Sequence, residues 1–426
     1  MSAPTSIPKQ TIYHDVLKEY WGYDDFRPLQ LDIIESVGSG RDTLGLMPTG
    51  GGKSITFQVP ALAMEGVCIV VTPLIALMKD QVENLKQRGI KAAAIYSGMA
   101  QYEILAAFDN CELGDYKFLY VSPERLATDL FKTRLKHLNV SMIAVDESHC
   151  ISQWGYDFRP SYLQIAEIRQ LLPGVPVLAL TATATPEVVD DIQVRLNFPQ
   201  KNLFQKSFER QNLVYVVRYV EDKLEQLVHI LNRVPGTSVV YVRSRKKTKE
   251  IADFLLQQGL SADYFHAGLS DEQKDRKQKA WKSGDCRVIV STNAFGMGID
   301  KPDVRTVVHM DLPDTLEAYF QEAGRAGRDE QRAFAILLYN RTDETKLKKR
   351  INDTFPDKER IKTTYQALAD YFEIGVGSAF QAVYPFNLQT FCGMCHLPII
   401  PTYSALKILE LAGYLELTEE VDNPSK

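Results

Sequence analysis

Several things are missing from this 426-residue sequence, and each absence narrows what the protein can be. The formal net charge is −5, so the chain lacks the overall positive charge that would by itself indicate nucleic-acid binding. No stretch approaches the roughly 18 consecutive apolar residues of a membrane span, and residues 1–20 lack the apolar run of a signal peptide. We therefore expect a soluble protein inside the cell, in the cytoplasm of a bacterium or the nucleus of a eukaryote.

Cysteine is sparse, with six residues dispersed along the chain, so we expect reduced thiols rather than a disulfide framework. The segment Cys392-Gly-Met-Cys395-His396 has a spacing that is typical of zinc sites and of c-type haem attachment. Haem attachment requires export, and a structural zinc site requires four ligands. We interpret Cys392 and Cys395 as part of an apolar helix face with Leu388 and Phe391, and we expect no zinc.

The residues that are present indicate a globular protein of more than one domain. Hydrophobic residues make up 45% of the chain and charged residues 24%. From Asp42 onward, short β-branched runs alternate with amphipathic helices such as Leu74–Arg88, a pattern typical of a parallel sheet covered on both faces. The predicted strands are Thr43–Met47, Val67–Thr72, Lys117–Val121, Met142–Asp146 and Val177–Leu180.

A second series of α/β elements follows Phe208, with helices at Thr248–Gln258 and Asp271–Lys282. We expect domains at 1–207 and 208–342, then a helical segment at 343–387 and a winged-helix-like element at 388–426. Ligands in such folds bind at the carboxyl ends of the strands, and two such domains can share one cleft. The predicted strands are Ser238–Val242, Ala262–Phe265, Arg287–Val290, Thr306–His309 and Phe334–Leu338.

The last hundred residues differ in character from the two α/β series. Arg360–Phe372 has a helical pattern, Thr402 can cap a second helix at Tyr403–Ala412, and Tyr414–Leu417 resembles a strand. Helix, turn, helix and strand indicate the start of a winged helix. Because the chain ends before a wing could be completed, we expect this element to be truncated.

A glycine-rich segment from Met47 to Ser54 lies between the first predicted strand and a helix. Glycines let backbone N–H groups close around phosphate oxygens, and the helix N-terminus favours negative charge. Lys53 would reach the β- and γ-phosphates, and the Ser54 hydroxyl would bind magnesium. An ordinary glycine-rich turn is the alternative, since the P-loop pattern has glycine where Met47 stands. The candidate nucleotide ligands here are Thr49, Gly50, Gly51, Gly52, Lys53 and Ser54.

Two further segments supply the groups that ATP hydrolysis needs. Asp146 and Glu147 end a buried strand, where Asp146 can hold magnesium and Glu147 can deprotonate the attacking water, although such pairs also serve as helix caps. In the second series, Gln321 precedes Arg325 and Arg328, whose i and i+3 spacing would place both on one helix side. Surface arginines usually mean only solvated charge. Here they predict an ATP site shared by two sheets, which closes on ATP and opens after hydrolysis.

Together these segments resemble superfamily-two helicases. The stretch Asp146-Glu-Ser-His-Cys-Ile-Ser-Gln-Trp-Gly-Tyr-Asp-Phe-Arg159 resembles box two and the aromatic-rich loop of the RecQ DNA helicases. The likeness covers residues of about 20 to 340 and implies two tandem RecA-like domains. Segments similar to the family's adenine-reading element and to its motifs Ia, III, V and VI are Phe26–Gln30, Val71–Asp80, Leu180–Ala184, Ser291–Asp300 and Gln321–Arg328.

The resemblance implies an enzyme that couples ATP hydrolysis, with Mg²⁺, to 3′→5′ movement on single-stranded DNA and to duplex unwinding. Its DNA would be single-stranded, tailed or branched, and its role would be in repair and recombination. Arg27 and Gln30 would bind adenine, and Asp300 would contact the ribose. Glu147 would be the general base, and Arg328 the arginine finger. The supporting catalytic residues would be Lys53, Asp146, Gln321 and Arg325.

The resemblance also implies a loop that senses DNA and couples it to hydrolysis. Trp154, Phe158 and Arg159 suit this role, because aromatic rings and guanidinium groups stack on bases, although such a cluster is more often simple core. His149, beside the acidic pair, would relay the signal. Further DNA contacts are predicted at Arg243, Ser244 and Thr292, the first two in a basic run whose alternative is a solvated helix N-terminus.

The sequence departs from the family pattern in three places. Tyr156 stands where histidine is usual and Ser161 where glutamate is usual, both within the DNA-sensing segment. The four-cysteine zinc module that commonly follows motif VI is absent from the sequence. We expect the helical segment around Arg360–Phe372 to replace its scaffold.

Three alternatives remain open at the level of sequence. An RNA helicase would share the phosphate machinery, since single-strand backbone contacts differ mainly in the 2′-hydroxyl group. A translocase would hydrolyse ATP on DNA without separating strands. A binding module with a degenerate nucleotide site would have lost at least one essential side chain, whereas Lys53, Asp146, Glu147 and Arg328 are all intact.

Overall fold

The computed structural model describes residues 9–48, 50–154, 157–205, 207, 209–295, 301–375, 377–379 and 382–417. Two compact units divide this part of the chain. The first comprises the described residues of 1–218 and 222–338, and the second comprises those of 219–221 and 339–426. None of the described helices is both long enough and apolar enough to cross a membrane.

The first unit begins with a seven-stranded sheet. Its strands are β1 (Thr43–Leu46), β2 (Val67–Val71), β3 (Ala92–Ile95), β4 (Phe118–Val121), β5 (Val140–Val145), β6 (Val177–Thr181) and β7 (Leu203–Gln205). They lie in the order β3-β4-β2-β5-β6-β1-β7, and every pair is parallel. The helices are α1 (Lys9–Trp21), α2 (Gln30–Gly38), α3 (Lys53–Ala63), α4 (Ile75–Gln87), α5 (Gln101–Leu113), α6 (Asp129–Leu135), α7 (Gln164–Gln170) and α8 (Pro186–Arg195), with 3₁₀ turns at Pro123–Ala127, Ser148–Ile151 and Pro160–Leu163.

Helices cover both faces of this sheet, as the unbroken apolar strands predict. All five residues of β2 are buried. Ile69 and Val71 belong to one hydrophobic cluster, whereas Cys68 and Val70 belong to another. Because successive side chains of a strand point to opposite faces, the two clusters are the cores on the two sides of the sheet. The prediction of a two-sided parallel sheet is confirmed.

The second sheet of the same unit has six strands. They are β8 (Leu213–Tyr219), β9 (Thr237–Tyr241), β10 (Ala262–Phe265), β11 (Val288–Ser291), β12 (Val304–His309) and β13 (Ala333–Tyr339), in the order β10-β11-β9-β12-β13-β8. Its helices are α9 (Lys223–Arg233), α10 (Arg245–Gln257), α11 (Asp271–Ser283) and α12 (Leu316–Ala323). The core contains Trp281 and Phe295, whose rings meet edge to face at a centroid distance of 5.1 Å. The predicted α/β class with two tandem parallel sheets is confirmed.

The second unit is helical. Its helices are α13 (Arg341–Thr354), α14 (Lys358–Tyr371), α15 (Leu388–Met394) and α16 (Ile399–Leu411), and α16 packs against the other three. In α15, Phe391 and Cys392 are buried, while Leu388 and Cys395 are partly buried.

Two predictions for this unit are wrong. Thr402 does not cap a helix, because α16 begins at Ile399 and Thr402 lies buried within it. Pro401 is tolerated there, since the N–H groups of a first helical turn have no partner within the helix. The described residues Tyr414–Leu417 form no strand. Instead, the Tyr414 N–H donates to the Leu409 carbonyl at 2.9 Å, and the Leu417 N–H donates to Glu410 Oε1 at 2.9 Å, so this segment folds back on α16.

Candidate nucleotide site and nucleic-acid interface

The glycine-rich loop joins β1 to α3, which begins at Lys53. Gly50 and Gly52 have φ angles of 84° and 74°, in the left-handed region that favours glycine. A Cβ atom added to Gly52 would lie 2.3 Å from Gln30 Nε2, so only glycine fits there. The loop therefore leads directly into a helix N-terminus, the arrangement that binds phosphate groups. Thr49 lies outside the described residues.

Gln30 and Arg27 hold the backbone of this loop. Gln30 is buried, and its Nε2 donates to the carbonyls of Gly51 at 3.3 Å and Gly52 at 3.1 Å. Its Oε1 accepts from the Arg27 N–H at 2.9 Å, and Arg27 Nη1 donates to the Gly50 carbonyl at 2.8 Å. The two residues that the resemblance assigns to adenine thus contact the phosphate loop itself.

The acidic pair lies where β5 ends beside β2. The Asp146 N–H donates to the Val71 carbonyl at 2.9 Å, and the buried Tyr162 hydroxyl donates to the Asp146 carbonyl at 3.0 Å. Asp146 Oδ1 accepts from the Glu147 N–H at 3.0 Å. Glu147 has a φ of 48°, an uncommon conformation for a non-glycine residue. These bonds fix the backbone of Asp146 and one oxygen of its carboxylate.

The electrostatics also separate the two carboxylates. Burial and the charge of Glu147 raise the pKa of Asp146 to about 6, against the opposing effect of Lys53. Burial also opposes ionisation of Glu147, but the charge of Lys53, the adjacent His149 imidazole and the charge of Arg325 outweigh it and lower the pKa of Glu147. Glu147 is therefore the stronger acid of the pair, and Asp146 is the group whose charge a nearby cation would stabilise.

Glu147 Oε2 is buried and has no hydrogen-bond partner among the described residues. A buried acceptor left without a donor costs free energy, and an attacking water could supply the missing donor. Ser54 and Asp146 offer hydroxyl and carboxylate oxygens, the ligands that Mg²⁺ prefers. The residues present therefore fit both a magnesium ion and a hydrolytic water.

The two arginines of the second sheet do not lie on a helix, which corrects the sequence prediction. The helix α12, which carries the half-buried Gln321, ends at Ala323, and Gly324–Arg328 form a turn that we call the arginine turn. Gly327 adopts a φ of 63°, and its N–H donates to the Val304 carbonyl of β12 at 2.8 Å, so the helical ladder cannot continue.

The arginine turn reaches the site of the first sheet. Arg325 is buried and close enough to Glu147 for its charge to lower the pKa of that carboxyl. Arg328 Cγ would lie 3.1 Å from a Cβ atom added to Gly50, so its side chain packs on the phosphate loop. The structure thus brings together the phosphate loop, the acidic pair and both arginines, as expected for a site shared by two sheets.

A chain of polar contacts runs from the acidic pair to the aromatic loop. His149 is buried, with Nδ1 at 2.9 Å from Thr181 Oγ1 and at 3.5 Å from Glu147 Oε2. His149 Nε2 lies 3.8 Å from Cys150 Sγ, which lies 3.8 Å from Asp157 Oδ2. That carboxylate accepts two hydrogen bonds from the guanidinium group of Arg159, its nearest strong donor.

The ligand atoms of His149, Cys150 and Asp157 lie within 4.8 Å of one another, a separation that would also suit a metal ion. Burial raises the pKa of the Cys150 thiol, so it stays protonated at neutral pH, and Arg159 already neutralises Asp157. Both effects favour a hydrogen-bonded relay over a metal thiolate.

The aromatic loop is not simple core. Trp154 is 77% exposed, which excludes a packing role for that ring, whereas Phe158 is half-buried. Gly155 and Tyr156 lie outside the described residues. An exposed tryptophan next to the relay is available for stacking on a base.

The other residues predicted to contact DNA differ in their exposure and in their local bonds. Arg243 is exposed, with Nη1 at 2.5 Å from Asp314 Oδ1. Ser244 caps α10, which begins inside the basic run rather than at Thr248. Thr292 is only 7% exposed, and its Oγ1 accepts from the Ala294 N–H at 3.4 Å. Asp300 lies outside the described residues.

Sequence reasoning gave no role to three residues that support the site, namely Tyr162, Thr181 and Asp157. Thr181 was part of the segment similar to motif III, and Asp157 was part of the aromatic loop. The sequence alone could not show that one bonds His149 and the other Arg159.

Comparisons with known proteins agree with this geometry. The families described as DEAD/DEAH box helicase and Helicase conserved C-terminal domain match residues 27–192 and 222–330. The chain is 40% identical over 370 residues to the ATP-dependent DNA helicase RecQ of Pasteurella multocida, covering 86% of this chain and 58% of that protein. It is 42% identical over 332 residues to the protein of the same name from Bacillus subtilis, covering 77% and 56%.

A solved structure shows the same fold. The Mycobacterium smegmatis helicase Lhr bound to ssDNA and AMP-PNP matches with a TM-score of 0.63 and 18% identity, covering 93% of this chain and 57% of that chain. This chain spans little more than half the length of the two curated relatives. The first matched segment contains β1 to β6 and the second contains β9 to β12, so each lies within one of the two sheet regions. With these similarities across most of its residues, the chain belongs to the RecQ family of helicases.

Proposed function

We propose that this chain hydrolyses ATP, uses the energy to move along single-stranded DNA in the 3′→5′ direction, and separates the strands of tailed or branched duplexes, in DNA repair and recombination. The observation that carries the proposal is the meeting of two sheets at one site. Lys53 and Glu147 come from the first sheet, and Arg325 and Arg328 from the second. Both bacterial relatives described above are named as DNA helicases, which supports DNA over RNA as the nucleic acid.

Each residue of the site has a role that follows from its surroundings. Lys53 would bind the β- and γ-phosphates, and Glu147, kept ionised by nearby positive charges, would accept a proton from the attacking water. Arg325 and Arg328 would stabilise the charge that develops on the γ-phosphate. A magnesium ion held by Ser54 and Asp146 would supply further neutralisation of the phosphate oxygens when bound.

The loop and the base would be bound by the same two residues. Arg27 and Gln30, which bond the loop carbonyls of residues 50–52 in this structure, would contact adenine when the nucleotide binds. We keep Thr49, Asp300 and Gln321 in the proposed site on the resemblance of their segments, together with Arg243, Ser244 and Thr292 at the DNA. The low exposure of Thr292 favours a part in shaping its turn over a direct contact.

DNA binding would be coupled to hydrolysis through the relay. A base stacked on Trp154 would change the position of Arg159 and Asp157, and the contacts through Cys150 and His149 would carry that change to Glu147. This gives the exposed ring a physical connection to the proposed general base.

Strand separation tests the proposal. The substrates are a DNA duplex with a 3′ tail, the same duplex with a 5′ tail, and a 3′-tailed RNA duplex, each with ATP and magnesium. We expect unwinding of the 3′-tailed DNA alone, and no unwinding by Glu147→Gln. Hydrolysis that DNA stimulates without any unwinding would instead indicate a translocase, and preference for the RNA duplex would overturn the DNA assignment.

A further inference from the structure

Two side chains located between β7 and β8, where the chain passes from the first sheet to the second, bond the arginine turn. Arg210 Nη1 donates to the Gly324 carbonyl at 3.0 Å, and its Nη2 donates to the Gly327 carbonyl. Asn212 Nδ2 donates to the same Gly327 carbonyl at 2.7 Å. The backbone on both sides of Arg325 is therefore held by side chains from outside the turn.

Asn212 also secures the segment that leads from the turn to β13. Its Nδ2 donates to the Gln331 carbonyl at 2.9 Å, and the backbone carbonyl of Asn212 accepts from the Ala333 N–H at 2.9 Å. A Cβ atom added to Gly327 would lie 2.7 Å from Asn212 Nδ2, so the turn and this amide are in direct contact. Any shift of Asn212 would be transmitted to the arginine turn.

The charge of Arg210 is not used in an ion pair with the turn. Burial and the nearby charge of Arg328 lower the pKa of Arg210. Two like charges at close range are unfavourable unless other groups compensate, and here two backbone carbonyls and the nearby carboxylates of Asp329 and Glu330 do so. The planar fork of arginine can bond both carbonyls at once, which the single ammonium group of lysine cannot do in the same geometry.

We propose that Arg210 and Asn212 are positioning residues for ATP hydrolysis, which hold the arginine turn where Arg325 and Arg328 reach the γ-phosphate. The inference rests on the proposed function of those two arginines. Because both positioning residues lie at the passage between the sheets, a rotation of one sheet against the other moves the donors and the arginine turn as one piece. The arginines would then keep their geometry during closure.

The test compares Arg210→Gln with a matched control, Arg287→Gln. The Arg287 guanidinium also donates to backbone carbonyls of the second sheet domain, those of Gly236, Leu231 and Val234, and within the described part of the chain its hydrogen bonds reach no residue of the nucleotide site. We expect Arg210→Gln to lower kcat for DNA-stimulated ATP hydrolysis by about 10- to 100-fold with KM for ATP changed less than about twofold, since small misplacements of catalytic groups act on rate. Arg287→Gln should lower thermal stability and leave kcat within about twofold.

Two further variants keep the inference separate from the proposed function. Arg210→Lys should recover part of the lost kcat, because one donor group is retained. In the double variant Arg210→Gln/Arg328→Ala, the loss of kcat should be smaller than the product of the two single losses, because Arg210 then has only Arg325 left to position.

The outcomes are distinguishable. An Arg328→Ala variant with undiminished kcat would contradict the proposed role of the arginine turn itself. Loss of kcat in Arg328→Ala with normal kcat in Arg210→Gln would overturn only the positioning role. Equal losses of kcat in Arg210→Gln and Arg287→Gln would also overturn it, because general destabilisation would then explain both.

Discussion

Lys53, Asp146 and Glu147 illustrate how neighbouring residues acquire different tasks from their surroundings. The two carboxylates are adjacent in sequence, yet the pKa of Asp146 is raised and that of Glu147 is lowered. The difference arises because Glu147 is also close to the His149 imidazole and to the positive charge of Arg325. Their identity as a candidate acid pair could be predicted from the sequence, but their division of labour could not, because it depends on a residue of the other sheet.

The Lys53→Ala variant should lose ATP hydrolysis by more than about 100-fold, because it removes the charge that would bind the γ-phosphate and that favours ionised Glu147. The measurement is kcat with saturating single-stranded DNA. Lys136→Ala, at an exposed position that follows α6, is the control and should keep kcat within about twofold. Thermal unfolding of Lys53→Ala should match the parent, and a large fall in melting temperature would contradict a purely catalytic role.

The Trp154→Ala variant should lower the stimulation of hydrolysis by DNA far more than the basal rate. The ring is exposed, so its loss removes a stacking surface of about 1–3 kcal/mol per base without leaving a cavity. The measurement is ATP hydrolysis with and without single-stranded DNA. Equal reductions of both rates would show that the ring supports the site rather than the sensing of DNA.

At the scale of elements, the strands β3, β7 and β8 were not predicted from the sequence, although β8 contains a β-branched run. Ala92–Ile95 forms β3 although Ala-Ala-Ala has a helical propensity, because the strand pairs with β4 throughout its length. The strand β7 has only three residues, too few for a strand pattern to be recognised in the sequence. The arginine turn was mistaken for helix because its i and i+3 spacing is helical, whereas the left-handed Gly327 and the bond to Val304 are tertiary features.

The segment that follows the arginine turn is stabilised by an ion pair with β12. Arg305 Nη2 lies 2.5 Å and 2.6 Å from the two carboxylate oxygens of Asp329. Burial alone would raise the pKa of Asp329, but its bonds with Arg305 outweigh this effect and lower it. The Asp329→Asn variant should therefore reduce the free energy of unfolding by about 1–2 kcal/mol at pH 7.

This loss should depend on pH in a defined direction. Because the folded-state pKa of Asp329 is below the unfolded value of about 3.9, its stabilisation is fully present above that value and is lost as pH falls through the folded pKa. Urea unfolding should show a constant difference between parent and Asp329→Asn from about pH 8 to 5, narrowing below about pH 4. Asp253→Asn, an exposed position of α10, should show little difference throughout. A difference in the free energy of unfolding that grew as the pH fell would contradict the role given to Asp329.

For the whole molecule, a net charge of −5 means that DNA must be held by local groups rather than by the overall field. The sequence predicted two linked sheets and a shared site, and the structure confirms the fold. It did not predict how the second unit folds after Tyr371, because Pro401 and the return of residues 414–417 onto α16 depend on tertiary contacts.

Salt dependence tests whether the basic run at Arg243 belongs to the DNA interface. If Arg243 contacts a phosphate, Arg243→Gln should reduce the magnitude of the slope of log affinity against log salt by about 0.7 for single-stranded DNA. Fluorescence anisotropy at several salt concentrations gives the slope. Lys201→Gln, an exposed lysine paired with Asp190, should leave the slope unchanged. An unchanged slope for Arg243→Gln would restrict that residue to its ion pair with Asp314.

The single amide of Gln30 has a consequence for how the enzyme would tell one nucleotide from another. Its Nε2 already serves the carbonyls of Gly51 and Gly52, so a purine can recruit it only in competition with the loop. Binding of the base and the conformation of the loop would then be coupled. A nucleotide with the wrong base would still be held by its phosphates, but the loop around them would keep its resting shape. We therefore expect selection among nucleotides to appear in turnover rather than in occupancy.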